Sequence, residues 1–213
     1  MKKEHRKNVI WGAFLLTAFV LWTLAVIFVD VQAIGPEGSE VGFGTLNGFV
    51  HGLTGVHMSL YTLTDWLSLV PVGFVMGFAC LGLTQWIRRK GLTRVDYSIF
   101  VLGGFYLAVL GAFLFFETVV INYRPVLIEG QLEASYPSST TMLVLCVMPT
   151  AAMELRRRIP NSRGITWVIG AFAVFMVLGR FLSGVHWFTD MVGGGLLSSG
   201  LVMLYRGIAA MKT

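Results

Sequence analysis

Charged residues are scarce in this chain. Only 13% of its 213 residues are Asp, Glu, Lys or Arg, while 55% are hydrophobic. A soluble domain carries about 25% charged residues, so the composition argues against one. Cysteine is nearly missing. Cys80 and Cys146 each fall inside an apolar run, where they read as small buried groups, which excludes a disulfide framework and a zinc site. No small-residue cleavage site follows the first apolar run, which is therefore read as a retained span rather than a signal peptide. The net charge of +5 does not point to nucleic acid, because the basic residues gather at the ends of apolar runs.

Long, nearly uncharged runs approach the roughly 20 residues that a spanning helix needs. They predict an all-α polytopic membrane protein with one domain over residues 1–213. The first span is Val9 to Val29, behind the basic tail MKKEHRK. Val41 to Leu63 mixes Phe43, Leu46, Val50 and Leu53 at helical spacing with Gly, Thr, Asn and His, so it is predicted as an interfacial amphipathic or re-entrant helix between spans one and two. His51 and His57 within it are six apart and do not share a helical face, which fits interfacial histidines without a metal. The second span runs from Trp66 to Trp86, with a Trp for each interface and Pro71 inside. The third covers Tyr97 to about Phe116. The fourth opens at Pro137-Ser138 and ends before Arg156, with Pro149 inside. The fifth covers Ile165 to Leu178, and the sixth about Trp187 to Tyr205. Gly193, Gly194, Gly195, Ser198, Ser199 and Gly200 give the sixth a small-residue face for close packing.

Orientation follows from the positive charges. Of sixteen Lys and Arg, fourteen lie in the two tails and in the loops RRKGLTR and RRRIPNSR. All four segments become cytoplasmic if six spans leave both termini inside. The two residues left over, Arg124 and Arg180, then face outside, together with Pro137-Ser138 and the stretch LGRFLSGVHWFTD.

That last stretch carries the strongest chemical signal. Arg180, His186 and Asp190 are expensive in an apolar setting, and such residues usually serve a function. His186 and Asp190 are four apart, on one helical face, so the carboxylate can fix the imidazole tautomer and leave the other nitrogen as nucleophile or base. Arg180 offers a planar fork of donors to a phosphate. A buried Arg–Asp pair with a packing histidine is the plainer reading of the same residues. Ser138, Ser139 and Thr140, at the predicted start of span four, combine hydroxyls with unpaired helix amides and so have the chemistry of an anion site. Two guanidiniums, a helix amino-terminus and a carboxylate-supported histidine on one side of the membrane suit phosphoryl transfer through a phosphohistidine.

The spacing resembles the type-2 phosphatidic acid phosphatase superfamily of membrane lipid phosphate phosphatases. That family carries a Lys seven residues before an Arg-Pro, then Pro-Ser-Gly-His, then an Arg followed by His at plus six and Asp at plus ten. Arg124-Pro125, Pro137-Ser138, Arg180, His186 and Asp190 match in order and spacing, over roughly Glu117 to Gly195. The resemblance implies a six-helix bundle with the site on the outer face. It makes His186 the nucleophile and Asp190 its orienting partner, with Arg124, Arg180, Ser138, Ser139 and Thr140 at the phosphate. The family Lys is Glu117 here, and the second-motif His, which protonates the leaving oxygen, is Thr140. A phosphate leaves without that proton more readily than an alkoxide, which tilts the reading towards a lipid diphosphate such as a polyprenyl diphosphate, or towards a slow enzyme. Glu117 lowers the local charge by two units relative to Lys, which opposes a highly anionic headgroup. It can instead pair with Arg124 or act as a replacement acid.

Two functions follow. One is a membrane lipid phosphatase or diphosphatase without metal or cofactor. The other is a degenerate relative that binds or transports a phospholipid headgroup. Oligomeric state is open. The partners expected are the membrane and a lipid substrate, in a bacterial plasma membrane. Externally added thiol reagent should label a cysteine placed at Glu37 or Glu133 and miss one at Gly91. Labelling at Gly91 from outside would overturn the orientation.

Overall fold

The computed structural model describes residues 2–211 and is built from eight α-helices. They are α1 (Lys2–Phe28), α2 (Gly44–Thr54), α3 (Met58–Leu67), α4 (Leu69–Arg89), α5 (Tyr97–Thr118), α6 (Ser139–Arg158), α7 (Arg163–Leu182) and α8 (Phe188–Ala209). Pairing between extended segments is limited, among the described residues, to isolated bridges. Among the described residues, five segments are long and apolar enough to cross a membrane: Glu4–Phe28, Met58–Arg89, Tyr97–Thr118, Arg163–Leu182 and Phe188–Ala209. Their outward faces carry large apolar side chains such as Phe28, Leu107 and Trp167. This is an all-helical integral membrane protein.

The fourth predicted span coincides with α6, yet α6 is not among the five segments. It packs against α4, α5, α7 and α8 and is the centre of the bundle. Half of it is buried, including Thr140, Thr141, Thr150 and Glu154. A helix wrapped by other helices meets little lipid, so it can hold polar groups that a lipid-facing helix cannot. Glu154, fully buried, accepts from Tyr205 (2.7 Å), Ser98 (3.0 Å) and Arg157 (2.9 Å) and pairs with Arg158. Arg158 also reaches Asp96, which Arg89 holds at 2.7 Å. These contacts tie the α4–α5 loop to the carboxyl end of α6.

The stretch predicted as one helix from Val41 to Leu63 is two helices, and the second runs almost directly into α4. The break falls at Gly55, whose φ of 63° ends α2. Ser68 separates α3 from α4, and Pro71 falls in the first turn of α4, where its missing N–H does no damage. Asn47 of α2, fully buried, donates to Gly42 O and Thr189 Oγ1 and accepts from the Thr189 amide, which fastens α2 to the first turn of α8.

Glycines set the closest approaches. A Cβ on Gly200 would lie 2.8 Å from Leu16, and one on Gly207 2.8 Å from Val9, so α1 and α8 touch along the small-residue face. Gly193 lies under the Tyr136 ring, and Gly194 faces the Ser138 carbonyl, which brings the amino ends of α8 and α6 together. A Cβ on Gly193 would sit 2.6 Å from that ring, while one on Gly195 would meet nothing within 4 Å. Gly193→Val should therefore destabilise the protein by about 1–3 kcal/mol through overpacking, seen as a lower melting midpoint in detergent. Gly195→Val should leave the midpoint nearly unchanged, and equal effects would contradict this packing.

Candidate active site

Four pieces of chain meet at one end of the bundle. The carboxyl end of α7 carries Arg180, 2% exposed, and the loop to α8 carries His186, 4% exposed. The first turn of α8 carries Asp190, and Ser138 caps α6 by accepting from the Thr141 amide at 3.5 Å. The Ser138 amide donates to the Asp190 carbonyl at 3.1 Å, so the two helix starts are joined by their backbones. Arg124 comes from the α5–α6 connection, which is a small hairpin. Tyr123 bridges Ala134, the Arg124 amide donates to Glu133 O at 3.0 Å, and Glu129 and Gly130 take the positive φ values of a tight turn. The segments predicted to converge, Arg124, Ser138 to Thr140, and Arg180 to Asp190, are brought together.

His186 Nδ1 lies 3.7 Å from Asp190 Oδ2. That is ion-pair range but not a hydrogen bond; neither ring nitrogen makes a hydrogen bond of good geometry, although the Ser135 backbone lies close enough to favour the charged form slightly. The carboxylate is held from other directions. Its Oδ2 accepts from the Trp187 amide at 2.8 Å, capping α8, and its Oδ1 accepts from Asn122 Nδ2 at 3.3 Å. Burial, then the positive charges of Arg124 and Arg180, hold the His186 imidazole well below its usual 6.5 and keep it neutral. A neutral imidazole has the lone pair that nucleophilic attack requires.

The arginines are under-satisfied. Arg124 Nε is 3.0 Å from Glu133 Oε2 without hydrogen-bond alignment, and Arg124 Nη1 has no partner. Arg180 Nη1 reaches Thr64 Oγ1 at 3.4 Å, Nη2 is 3.9 Å from Asp65 Oδ1, and Nε has no partner. Buried donors without acceptors are uncommon in folded proteins. The ion-pair partner of Arg124 is thus Glu133 rather than Glu117, which is exposed at the end of α5.

Sequence reasoning missed α3. Tyr61, Thr64 and Asp65 all reach the arginines. Their i, i+3, i+4 spacing, continued by Ser68, was a legible polar stripe. Asn122 and Glu133 were hidden by non-local hairpin pairing, for which the Glu129-Gly130 pair was a faint signal.

A cavity of about 980 Å³ opens from this end. Arg124, Arg180, Ser139, Thr140, Asp65 and Ser68 line its polar end, and apolar residues of α4 and α5 line the rest, as far as Trp86 and Leu92. From Ser68 to Trp86 the α4 axis rises about 27 Å, close to the roughly 30 Å of a bilayer's hydrocarbon core. Ser138 and His186 do not line the cavity. The two arginines border it and also act electrostatically on His186.

Residues 116–212 match the PAP2 superfamily. Phosphatidylglycerophosphatase B of Bacillus subtilis (strain 168) is 30% identical over 95 residues, which span 43% of this chain and 46% of that protein. The chain therefore aligns with less than half of this curated relative. A crystal structure described as the first transmembrane PAP2 type phosphatidylglycerolphosphate phosphatase from Bacillus subtilis superposes with a TM-score of 0.62 at 20% identity, covering 92% of this chain and 94% of that one. At this identity the likeness speaks for the fold.

The electrostatics can be checked without any substrate. In histidine-labelled protein, the His186 resonance, assigned by its loss in His186→Ala, should titrate below pH 6.5. Arg124→Gln should move that midpoint upward, because it removes a positive charge that disfavours the imidazolium. A midpoint at or above 6.5 in the parent protein would contradict the burial and charge described here.

Proposed function

We propose that the chain is a member of the PAP2 superfamily, whose model residues 116–212 match, and an integral-membrane phosphatase that hydrolyses a lipid phosphate or polyprenyl diphosphate. The observation that carries this reading is the cavity. Cationic and hydroxyl groups stand at one end, and a bilayer-long apolar wall lies below them. Such a space fits an anionic headgroup with a long hydrocarbon tail better than a soluble phosphate ester.

In the proposed reaction the headgroup phosphate sits between Arg124 and Arg180, against the amino end of α6, where Ser138, Ser139 and Thr140 offer hydroxyls and amides. Neutral His186 attacks phosphorus, the bond to the leaving oxygen breaks, and the guanidiniums stabilise charge on the equatorial oxygens. Asp190 closes its 3.7 Å gap as positive charge develops on the imidazole. Water then hydrolyses the phosphohistidine and releases inorganic phosphate. The scheme uses no metal or cofactor. The leaving oxygen meets Thr140 rather than a histidine, so a diphosphate, whose leaving group is itself a phosphate, is the favoured substrate. Glu117 serves at most as a modulator, since Glu133 occupies its proposed place beside Arg124.

The membrane arrangement that goes with this reading has six spans in one domain. It takes α6 as the fourth span despite its polarity and places α2 at the outer interface. Both termini are cytoplasmic and the site faces outward in a bacterial plasma membrane.

Phosphate release from a panel of lipid mono- and diphosphates by purified protein tests the proposal. His186→Ala should abolish release while leaving the melting midpoint intact, and Asp190→Asn should leave a small residual rate. Diphosphates should exceed monophosphates by something like the ~10²–10⁴-fold value of general-acid assistance, and Thr140→His should raise the monophosphate rate selectively. Undiminished activity in His186→Ala would refute the mechanism. No release from any lipid, even with Thr140→His and Glu117→Lys combined, would favour a protein that binds or transports the headgroup.

A further inference from the structure

We propose that Tyr61 is a positioning residue for the anion site: its ring holds the Arg124 and Arg180 guanidiniums while Arg124 Nε and Nη1 and Arg180 Nε stay without a hydrogen-bond partner. The inference rests on reading the two arginines as phosphate ligands. It concerns an element, α3, that lies outside the residues 116–212 matched to the family.

The Arg180 guanidinium carbon lies 4.6 Å from the centroid of the Tyr61 ring, and that of Arg124 lies 5.9 Å from the same centroid. Two like charges gathered at one ring repel, and the repulsion is larger in a buried, water-poor setting. A cation near a ring face is attracted by the negative quadrupole of the π-system. One ring shared by two cations therefore offsets part of their repulsion and fixes where both stand.

A carboxylate between them would attract more strongly. It would also accept the donors of the planar forks and cancel the charge a phosphate needs. The carboxylates present are off-centre. Glu133 is close to Arg124 Nε but misaligned, and Asp65 is 3.9 Å from Arg180. The result is a pair of held cations in which Arg124 Nε and Nη1 and Arg180 Nε still have no hydrogen-bond partner. An aromatic face is the kind of support that leaves such donors for an incoming anion.

The support is anchored to the nucleophile's own loop. The His57 amide, just before α3, donates to Ser183 O at 2.9 Å. Gly184, with φ of 67°, lies so close to the Gly55 carbonyl that a Cβ would overlap it. Tyr61, Arg180 and His186 thus share one packed junction, and displacing the ring changes the relation of the arginines to the histidine.

Inorganic phosphate binding to the full-length protein in detergent tests this, by calorimetry and as competitive inhibition of lipid phosphate release. Tyr61→Leu should weaken phosphate binding by about tenfold, the size expected when cation–π contacts at a partly buried site are lost. It should raise KM more than it lowers kcat and leave the melting midpoint nearly unchanged. Tyr61→Phe, which keeps the ring, should stay within about twofold of the parent. Tyr61→Met is a second ring-less variant if the leucine form does not fold. Unchanged phosphate binding in the ring-less variants would overturn the positioning role alone. A phenylalanine form as weak as the leucine form would assign the effect to the hydroxyl and also overturn it, as would failure of both ring-less forms to fold. A parent protein that binds no phosphate would remove the phosphate-ligand reading itself, whatever the Tyr61 variants do.

Discussion

Two guanidiniums and a neutral imidazole are buried near one another at the end of a helical bundle, the guanidiniums at the cavity and the imidazole behind it, and much of the surrounding structure answers the difficulty of keeping them there. Charge removed from water is unfavourable unless paired, and the pairing here is deliberately incomplete. Arg180 makes a long contact to Thr64, a longer one to Asp65 and a ring contact to Tyr61. Arg124 leans on Glu133 without a well-formed hydrogen bond. A protein built only for stability would close these contacts, because a buried unsatisfied donor costs about 1–3 kcal/mol. Burial first, and then the positive charges of the two arginines, keep the His186 imidazole neutral.

The packing that assembles the pocket depends on backbones approaching one another. Gly193 and Gly194 let α8 start beside Ser138, which places the amino ends of α6 and α8 at one point. Gly184 and Gly55 let the loop before α8 meet the loop before α3. Asn47 then caps the first turn of α8 from α2. Each contact joins segments far apart in the chain, and each converges on the neighbourhood of His186 or Asp190.

How much was legible beforehand follows from these contacts. The long apolar helices α1, α5, α7 and α8 were readable because lipid demands an uninterrupted apolar run. The start of α6 was readable from Pro137-Ser138, and the residues from Arg180 to Asp190 from their rarity in an apolar segment. The segment α3 was not readable as part of the site, because its identity depends on which way one polar stripe faces, and the docking of α3 on α7 and of His57 on Ser183 decides that. Glu133 replaced Glu117 beside Arg124 because hairpin pairing brings position 133 back to 124, which one-dimensional spacing does not reveal. Glu154 was hidden for a similar reason: its partners Ser98, Arg158 and Tyr205 come from three helices.

The position of α6 links the membrane problem to the chemical one. An α-helix carries a partial positive charge at its amino end and a partial negative charge at its carboxyl end. The amino end of α6 lies among the hydroxyls and arginines at the head of the cavity, so its partial positive charge adds to theirs. Its carboxyl end carries Arg156, Arg157 and Arg158, cations that complement the dipole and are, by the positive-inside rule, expected on the cytoplasmic side. In the proposed topology the positive-inside rule, the helix dipole and phosphate binding at the amino end of α6 all call for the same orientation of this helix. The opposite orientation would set three arginines on the translocated side and turn the partial negative end towards the proposed phosphate site. The polarity of α6 suits that proposed role, and the four helices packed around it make the polarity tolerable.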